Sequence, residues 1–330
     1  MDTPEVLLLS RADVAGLMGV SDYLDAMERA FLACGERAAA RSAVLDIPVA
    51  GGTFHAKAAA LAQPARVAVK VNGNFPANPA RHGLPAIQGA IILCDAALGY
   101  PLAIMDSIEI TIQRTAAATA LAARYLARRD ADILAVIGCG NQGRASLRGL
   151  VRELPIRKAY AHDVEHAAAT RFAAEMGAEA GIEIVVAVDV ASAARASGVV
   201  VTCTPARKPF LAAGDVAPGT FVAAVGADSH DKQELEPGLL ASAKLVVDSL
   251  EQCARIGELH HALRLGVVNA RAVHAELGDV VAGSRPGRTS REEITVFDST
   301  GIGLQDVAAA AAIYERALAS GRGQRCRLNR

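Results

Sequence analysis

The chain has 330 residues, with 34 Lys and Arg against 35 Asp and Glu and a formal net charge of −1. That balance offers no basic face for nucleic acid and no acidic tail, which argues against an electrostatic binding module. Hydrophobic residues reach 52%, yet no uninterrupted apolar run approaches the roughly 18 residues that a membrane span needs. The excess comes from small residues, above all Ala, and Trp is absent. The length, about twice a domain of ~150 residues, predicts two domains or one large one. The start, Met1-Asp2-Thr3-Pro4-Glu5, is acidic where an export signal would be basic. Six cysteines (Cys34, Cys94, Cys139, Cys203, Cys253, Cys326) form no C-x-x-C pair and have no His nearby at zinc spacing. A reduced cytoplasmic protein without a structural metal is the expectation.

Residues 10–34 carry apolar positions at helical spacing: Val14, Leu17, Tyr23, Leu24, Met27, Ala30 and Phe31. Residues 42–105 change character. Short apolar runs at 44–47, 67–71, 89–93 and 101–105 are separated by Gly, Pro and Asn, which predicts a sheet with loops. The stretch 72–84 is rich in Asn, Pro and Gly, as a loop would be. Residues 111–129 are Ala-rich and end in basic residues, favourable for a helix C-terminus. From 132 onward, strand-like runs at 133–137, 158–162, 182–186, 198–202, 220–225 and 244–247 alternate with helical stretches. Continuous Val/Ile/Ala runs separated by helices indicate a parallel sheet buried on both faces. The pattern changes near residue 128. Residues 304–320 form a last Ala-rich helix able to pack on either domain.

The best local signal is Val136-Ile137-Gly138-Cys139-Gly140-Asn141-Gln142-Gly143, which follows a strand and opens a helix. In that context Gly138 permits a tight turn, Gly140 lets backbone approach a pyrophosphate, and Gly143 lets helix pack on strand. Free N–H groups at the helix start, around Asn141 and Gln142, face the phosphates. A second strand, 158–162, ends at Asp163, twenty residues beyond Gly143. A carboxylate there binds a ribose 2′-hydroxyl and repels a 2′-phosphate, favouring NAD over NADP. Dinucleotide binding on a doubly wound α/β sheet is the firmest expectation.

With that fingerprint placed, the chain resembles the ornithine cyclodeaminase/μ-crystallin family over nearly its whole length. The carrying segments are Lys70-Val71-Asn72-Gly73-Asn74 with Gly83-Leu84-Pro85, Arg114-Thr115-Ala116-Ala117, the glycine turn, Gly226-Ala227-Asp228 with Lys232-Gln233-Glu234-Leu235, and Val296-Phe297-Asp298-Ser299-Thr300-Gly301. The resemblance implies a Rossmann-type NAD-binding domain over 120–302. It implies a mixed α+β substrate and dimerisation domain from 1–119 with 303–330, and a homodimer. It also implies a small amino or imino acid substrate, handled as by archaeal-type alanine dehydrogenase or by Δ1-pyrroline-2-carboxylate (ketimine) reductases.

Such substrates carry a carboxylate beside an amine or imine, so the site needs a fixed cation, a proton-transfer group and the nicotinamide. The planar fork of Arg114 suits bidentate carboxylate binding, and in the family this arginine holds the substrate. Lys70 ends an apolar strand, where a buried ammonium is costly; a lysine snorkelling from a strand end is the ordinary alternative. By resemblance Lys70 binds the carboxylate or assists proton transfer, with Arg41 as a third ligand. Asp228 follows a strand, at the sheet edge where doubly wound folds place ligands. It is a proton acceptor by resemblance and a turn or cap residue otherwise. Thr115, Thr204, Val225 and Ser299 line the cofactor by resemblance.

Cyclodeaminases carry a glutamate in the strand before the lysine. This chain aligns His55 there, which lowers the reading as an ornithine cyclodeaminase, an NAD-assisted lyase giving proline. His55 is otherwise an ordinary sheet histidine, and Lys57 either a cation for a polar or acidic substrate tail or a solvent-facing lysine on an alternating strand. A non-enzymatic binding protein is the third possibility, and the joint presence of Lys70, Arg114 and Asp228 speaks against it.

Overall fold

A computed structural model describes residues 5–36 and 42–328, and these divide into two compact units. Unit 1 comprises residues 1–114 with 302–330, and unit 2 residues 115–301. The sequence placed the divisions at 119/120 and 302/303.

Unit 1 is built on a seven-stranded sheet of β1 (Val6–Leu9), β2 (Ala43–Val49), β3 (Gly52–Leu61), β4 (Arg66–Asn74), β5 (Ile87–Asp95), β6 (Pro101–Asp106) and β15 (Gln324–Cys326). The order is β15-β1-β6-β5-β4-β3-β2, with β1 and β6 parallel and the other pairs antiparallel. Strand alternation gives the sheet two faces. On the inner face, Ala59, Ala68, Leu93 and Ala103 are buried, and the C-terminal helix Gly303–Ser320 packs over β3 and β4 and against the helix Val20–Gly35. One row along that face, Lys57 on β3 lies directly across from Lys70 on β4. The next row holds Asp46, His55 and Asn72. On the outer face, Leu45, Ile47, Phe54, Val71 and Ile92 are exposed.

The helical periodicity of 10–34 resolves into two helices, Arg11–Ala15 and Val20–Gly35. Ser10 and Asp13 form a capping box on the first. Asp22 accepts the N–H of Gly19 at the start of the second (2.8 Å), and the Gly-rich step 16–19 interrupts the helical run. Of the stretch 72–84 expected as a loop, residues 72–74 belong to β4 and the rest contains a short helix, Asn78–His82, with Pro79 at its first turn, where the missing N–H has no helical use.

Unit 2 holds eight strands: β7 (Ile133–Ile137), β8 (Lys158–His162), β9 (Glu183–Val186), β10 (Val199–Thr202), β11 (Phe221–Ala224), β12 (Lys244–Val247), β13 (Val273–Glu276) and β14 (Thr295–Asp298). The order is β13-β12-β14-β11-β10-β7-β8-β9, and every pair is parallel. β7, β10, β11 and β14 are central and almost fully buried, which is why β7, β10 and β11 read as largely apolar runs, whereas β14, Thr-Val-Phe-Asp, buries two polar residues. Strand order reverses between β7 and β10, so this doubly wound sheet has its switch point where the glycine turn emerges.

Candidate functional site

In unit 2 the chain leaves β7 through Gly138, whose φ of +104° belongs to the region that favours glycine. A Cβ at Gly143 would stand 2.2 Å from the Gly138 carbonyl oxygen, so only glycine lets the helix Asn141–Glu153 start this close to the strand. Gly140 differs: a Cβ there would meet nothing within 4 Å, and its backbone is exposed. That helix has no side-chain cap at Gly140 and no acid in its first turn. Its first N–H groups, at Asn141, Gln142 and Gly143, thus present a positive end suited to phosphates. Gln142 reaches along the helix to the Ser146 hydroxyl (3.5 Å).

Asp163 stands at the end of β8. One carboxylate oxygen accepts the Cys139 N–H (2.8 Å) and the other the Glu165 N–H (3.0 Å), so the acid is tied directly to the glycine turn. Open space at Gly140, an uncapped helix start and an adjacent carboxylate together fit a dinucleotide. Burial and the neighbouring Asp163 push the Cys139 thiol up to about 12, which makes it a packing residue, not a nucleophile.

The loops after β10 and β11 are joined by Glu234, which is fully buried. It accepts hydrogen bonds from the hydroxyls of Thr202 (2.7 Å) and Thr204 (2.8 Å) and from the N–H groups of Thr204 (2.7 Å) and Gly226 (2.9 Å). Burial raises its proton affinity and these four donors oppose that. Glu258 in turn accepts from the N–H groups of Glu234 and Leu235 (2.7 and 3.0 Å). Asp298 accepts from Glu258 and Leu259 (3.2 and 2.9 Å), and burial pushes it up to about 7. Asp248 accepts from the Ser299 and Thr300 hydroxyls and the Gly301 N–H (3.0, 3.1 and 2.6 Å). Glu234 and Asp298 lie in segments that carry the family resemblance, but the loop-organising role of these four acids is not legible in sequence, because a buried carboxylate looks like any surface acid in one dimension.

Thr115 lies on the long helix Ser107–Leu126, its carbonyl accepting the Thr119 hydroxyl (3.0 Å). The Val225 N–H continues the ladder to the Thr202 carbonyl (2.9 Å). Ser299 is buried, with its hydroxyl committed to Asp248. Asp228 is exposed on the loop after β11 and forms a 2.6 Å ion pair with Lys232.

Unit 1 brings Lys70 and Arg114 together through a residue the sequence did not single out. Asp306, in the first turn of the C-terminal helix, stands 2.7 Å from Lys70 Nζ and 3.1 Å from Arg114 Nε. All three side chains are at least 95% buried. Arg114 Nη1 donates to Gln305 Oε1, and Lys70 Nζ donates to the Thr111 hydroxyl (3.3 Å). Two of the three guanidinium nitrogens therefore face protein acceptors. The bidentate fork read from the sequence is thus partly occupied from within, by Asp306 and Gln305. Burial lowers Lys70 from the usual lysine range to about 7; Arg114 and Lys57 add to this and Asp306 opposes it. Asp306 stays ionised because the two cations outweigh its burial.

His55 faces Asp46 (Nδ1 to Oδ1 2.5 Å) on the neighbouring row. Arg41 lies outside the described residues. Among the described residues no cluster of His, Cys, Asp or Glu suits a metal ion, and no helix is long and apolar enough to cross a membrane. All six cysteines are free.

Residues 5–321 match the sequence profile of the ornithine cyclodeaminase/mu-crystallin family. An alanine dehydrogenase of Archaeoglobus fulgidus is 38% identical over 329 residues, 99% of each chain. Among solved structures, an archaeal alanine dehydrogenase dimer with bound NAD superposes with a TM-score of 0.94 at 38% identity, covering 98% of this chain and 100% of that one. A Thermococcus litoralis Δ1-pyrroline-2-carboxylate reductase, in complex with NADH and L-proline, superposes at 0.93 with 34% identity, covering 97% and 99%. With its motifs in order and its full length matched, the chain belongs to the ornithine cyclodeaminase/mu-crystallin family.

Proposed function

We propose that the chain is an NAD(H)-dependent oxidoreductase of small 2-amino and 2-imino acids, of the alanine dehydrogenase or Δ1-pyrroline-2-carboxylate reductase type. The observation that carries this reading is the buried Lys70–Asp306–Arg114 set, in a chain whose other unit presents an open glycine turn with Asp163 beside it. Two cations share one carboxylate, so the set lacks one negative charge, which a substrate carboxylate supplies. The bound NAD(H) supplies or accepts the hydride at the substrate Cα. Arg114 and Lys70 hold the carboxylate, with Arg41 as a further ligand. Proton transfer is assigned to Lys70, whose proton affinity near neutrality suits a group that both gives and takes, and to Asp228. Gly138, Gly140, Asn141, Gln142, Gly143 and Asp163 hold the adenosine and pyrophosphate part of NAD, and Thr115, Thr204, Val225 and Ser299 line the remainder.

Lys57 separates this reading from ornithine cyclodeamination. No acid lies on β3, and the Lys57 charge acts on both Lys70 and Asp306. A substrate with a distal ammonium would be repelled where an alanine side chain or a pyrroline ring is not. The enzyme is assigned to the cytoplasm, where free cysteines persist, and to a homodimer. The test follows NADH and NADPH oxidation with pyruvate plus ammonia and with cyclic imines, beside ornithine conversion to proline. Turnover of the first two with NADH preferred is expected. Proline formation without net NADH change would instead establish the lyase, and no turnover of any of them would sink both.

A further inference from the structure

We propose that Asp306 is the positioning residue of the substrate-carboxylate site, one carboxylate that fixes the Lys70 ammonium and the Arg114 guanidinium and governs when Lys70 holds its proton. The inference rests on the functional reading above. It starts from placement. Asp306 is in the first turn of an 18-residue helix whose buried face is otherwise almost wholly Ala, Leu, Val and Ile. An acid in a first turn usually serves the helix end. Here one oxygen meets Lys70 at 2.7 Å and the other meets Arg114 at 3.1 Å. The neighbouring Gln305 holds a second nitrogen of the same guanidinium, so residues 305 and 306 together fix its plane.

Energetics argue for function over stability. Taking three charges out of water costs several kcal/mol for each ion, and apolar residues of similar volume often hold such a site as well or better. A trio of two cations and one anion is also unbalanced, and Lys57, directly across the strand pair from Lys70, adds to the excess. The groups facing Lys70 are Asp306 from the C-terminal helix, Arg114 and Thr111 from the long helix and Lys57 from β3. Of these, Asp306 alone raises its proton affinity, against burial, Arg114 and Lys57. Without that carboxylate the proton affinity of Lys70 falls further, and with it the hold on an anion and the capacity to donate a proton.

The experiment uses Asp306→Asn and Asp306→Glu in the full-length enzyme, with the substrate of the panel that wild type turns over best. For Asp306→Asn the limb of the kcat/KM profile that follows Lys70 deprotonation moves to lower pH by about one unit or more, as loss of a close opposite charge predicts. KM for the carboxylate substrate rises about tenfold or more, while NADH affinity, read by fluorescence, stays within about twofold. Asp306→Glu, which keeps the charge, returns the limb towards wild type. A folded, NADH-binding Asp306→Asn enzyme with limb and KM unmoved would overturn the proposal. Should that variant not fold, wild type labelled with 15N-lysine and 13C-aspartate decides. One midpoint shared by the Lys70 Nζ and Asp306 carboxyl resonances supports the proposal, and an Asp306 resonance flat through the Lys70 titration overturns it. That arm needs no turnover, so it separates failure of this inference from failure of the functional reading.

Discussion

Under the proposed function, Lys57 is the side chain that would decide whether a distal ammonium is accepted. It sits on the same face as Lys70 and directly opposite it, so its charge falls on the cation proposed to meet the substrate. Replacing it by the opposite charge should turn repulsion of a distal ammonium into attraction. For Lys57→Glu we expect the ratio of ornithine to alanine turnover to rise by about tenfold or more, since close charge pairs in a partly desolvated site are worth at least ~1–2 kcal/mol. The same change removes a cation that lowers Lys70, so the alkaline limb of activity should move to higher pH. Initial rates with both amino acids across pH check this, and an active variant with an unchanged ratio would remove Lys57 from specificity. His55, one row further, is held by Asp46 instead of facing Lys70 directly. Two residues of offset on one strand thus separate the two candidates the sequence left together.

The element to which the proposed function assigns cofactor binding is the turn between β7 and its helix, and contact distances set its tolerance. Gly143→Ala places a methyl group 2.2 Å from the Gly138 carbonyl oxygen and 3.0 Å from the Val136 side chain. Backbone must move to admit it, and the moving backbone is what would contact the pyrophosphate. NADH affinity should fall by about tenfold or more while the rest of the fold stays intact, because a shifted turn misplaces the N–H donors. Fluorescence titration beside circular dichroism checks this, and NADH binding at wild-type strength would show that the turn is not the pyrophosphate site. That turn was legible in sequence because Gly138, Gly140, Gly143 and Asp163 lie within 26 residues of one another and use local backbone geometry. The strands β7, β10 and β11 were legible because burial on both faces leaves mostly apolar residues. Strands β1, β13 and β15 escaped: four residues or fewer each, they owe their form to a neighbour's ladder more than to their own pattern. Asp306 escaped for a related reason. Its partners lie 236 and 192 residues away in the chain, and a lone acid in an Ala-rich helix carries no periodic signal.

At the scale of the whole molecule, the outer face of the unit 1 sheet remains to be explained. Leu45, Ala56, Val71 and Ala90 form one row across β2, β3, β4 and β5, flanked by Ile47 with Phe54 and by Val69 with Ile92. Leu45 is 57% exposed and Val71 41%, and among the described residues β2 is the edge strand of the sheet. An apolar sheet face of this breadth is unusual on a monomer and suits a self-complementary interface, in which two copies meet through the same patch. Because these side chains contribute little to the folded chain's own core, charging them should separate assembly from folding. We expect the double variant Leu45→Glu with Val71→Glu to sediment as a monomer where wild type sediments as a dimer, with a thermal midpoint governed by the lost association and not by a damaged core. Like charges facing across a two-fold axis repel each other, so the effect is doubled by symmetry. Sedimentation velocity over a range of concentrations reads the outcome. A double variant that remains dimeric would place the interface elsewhere on the chain, and a wild type that is monomeric at all concentrations would leave the face to another partner.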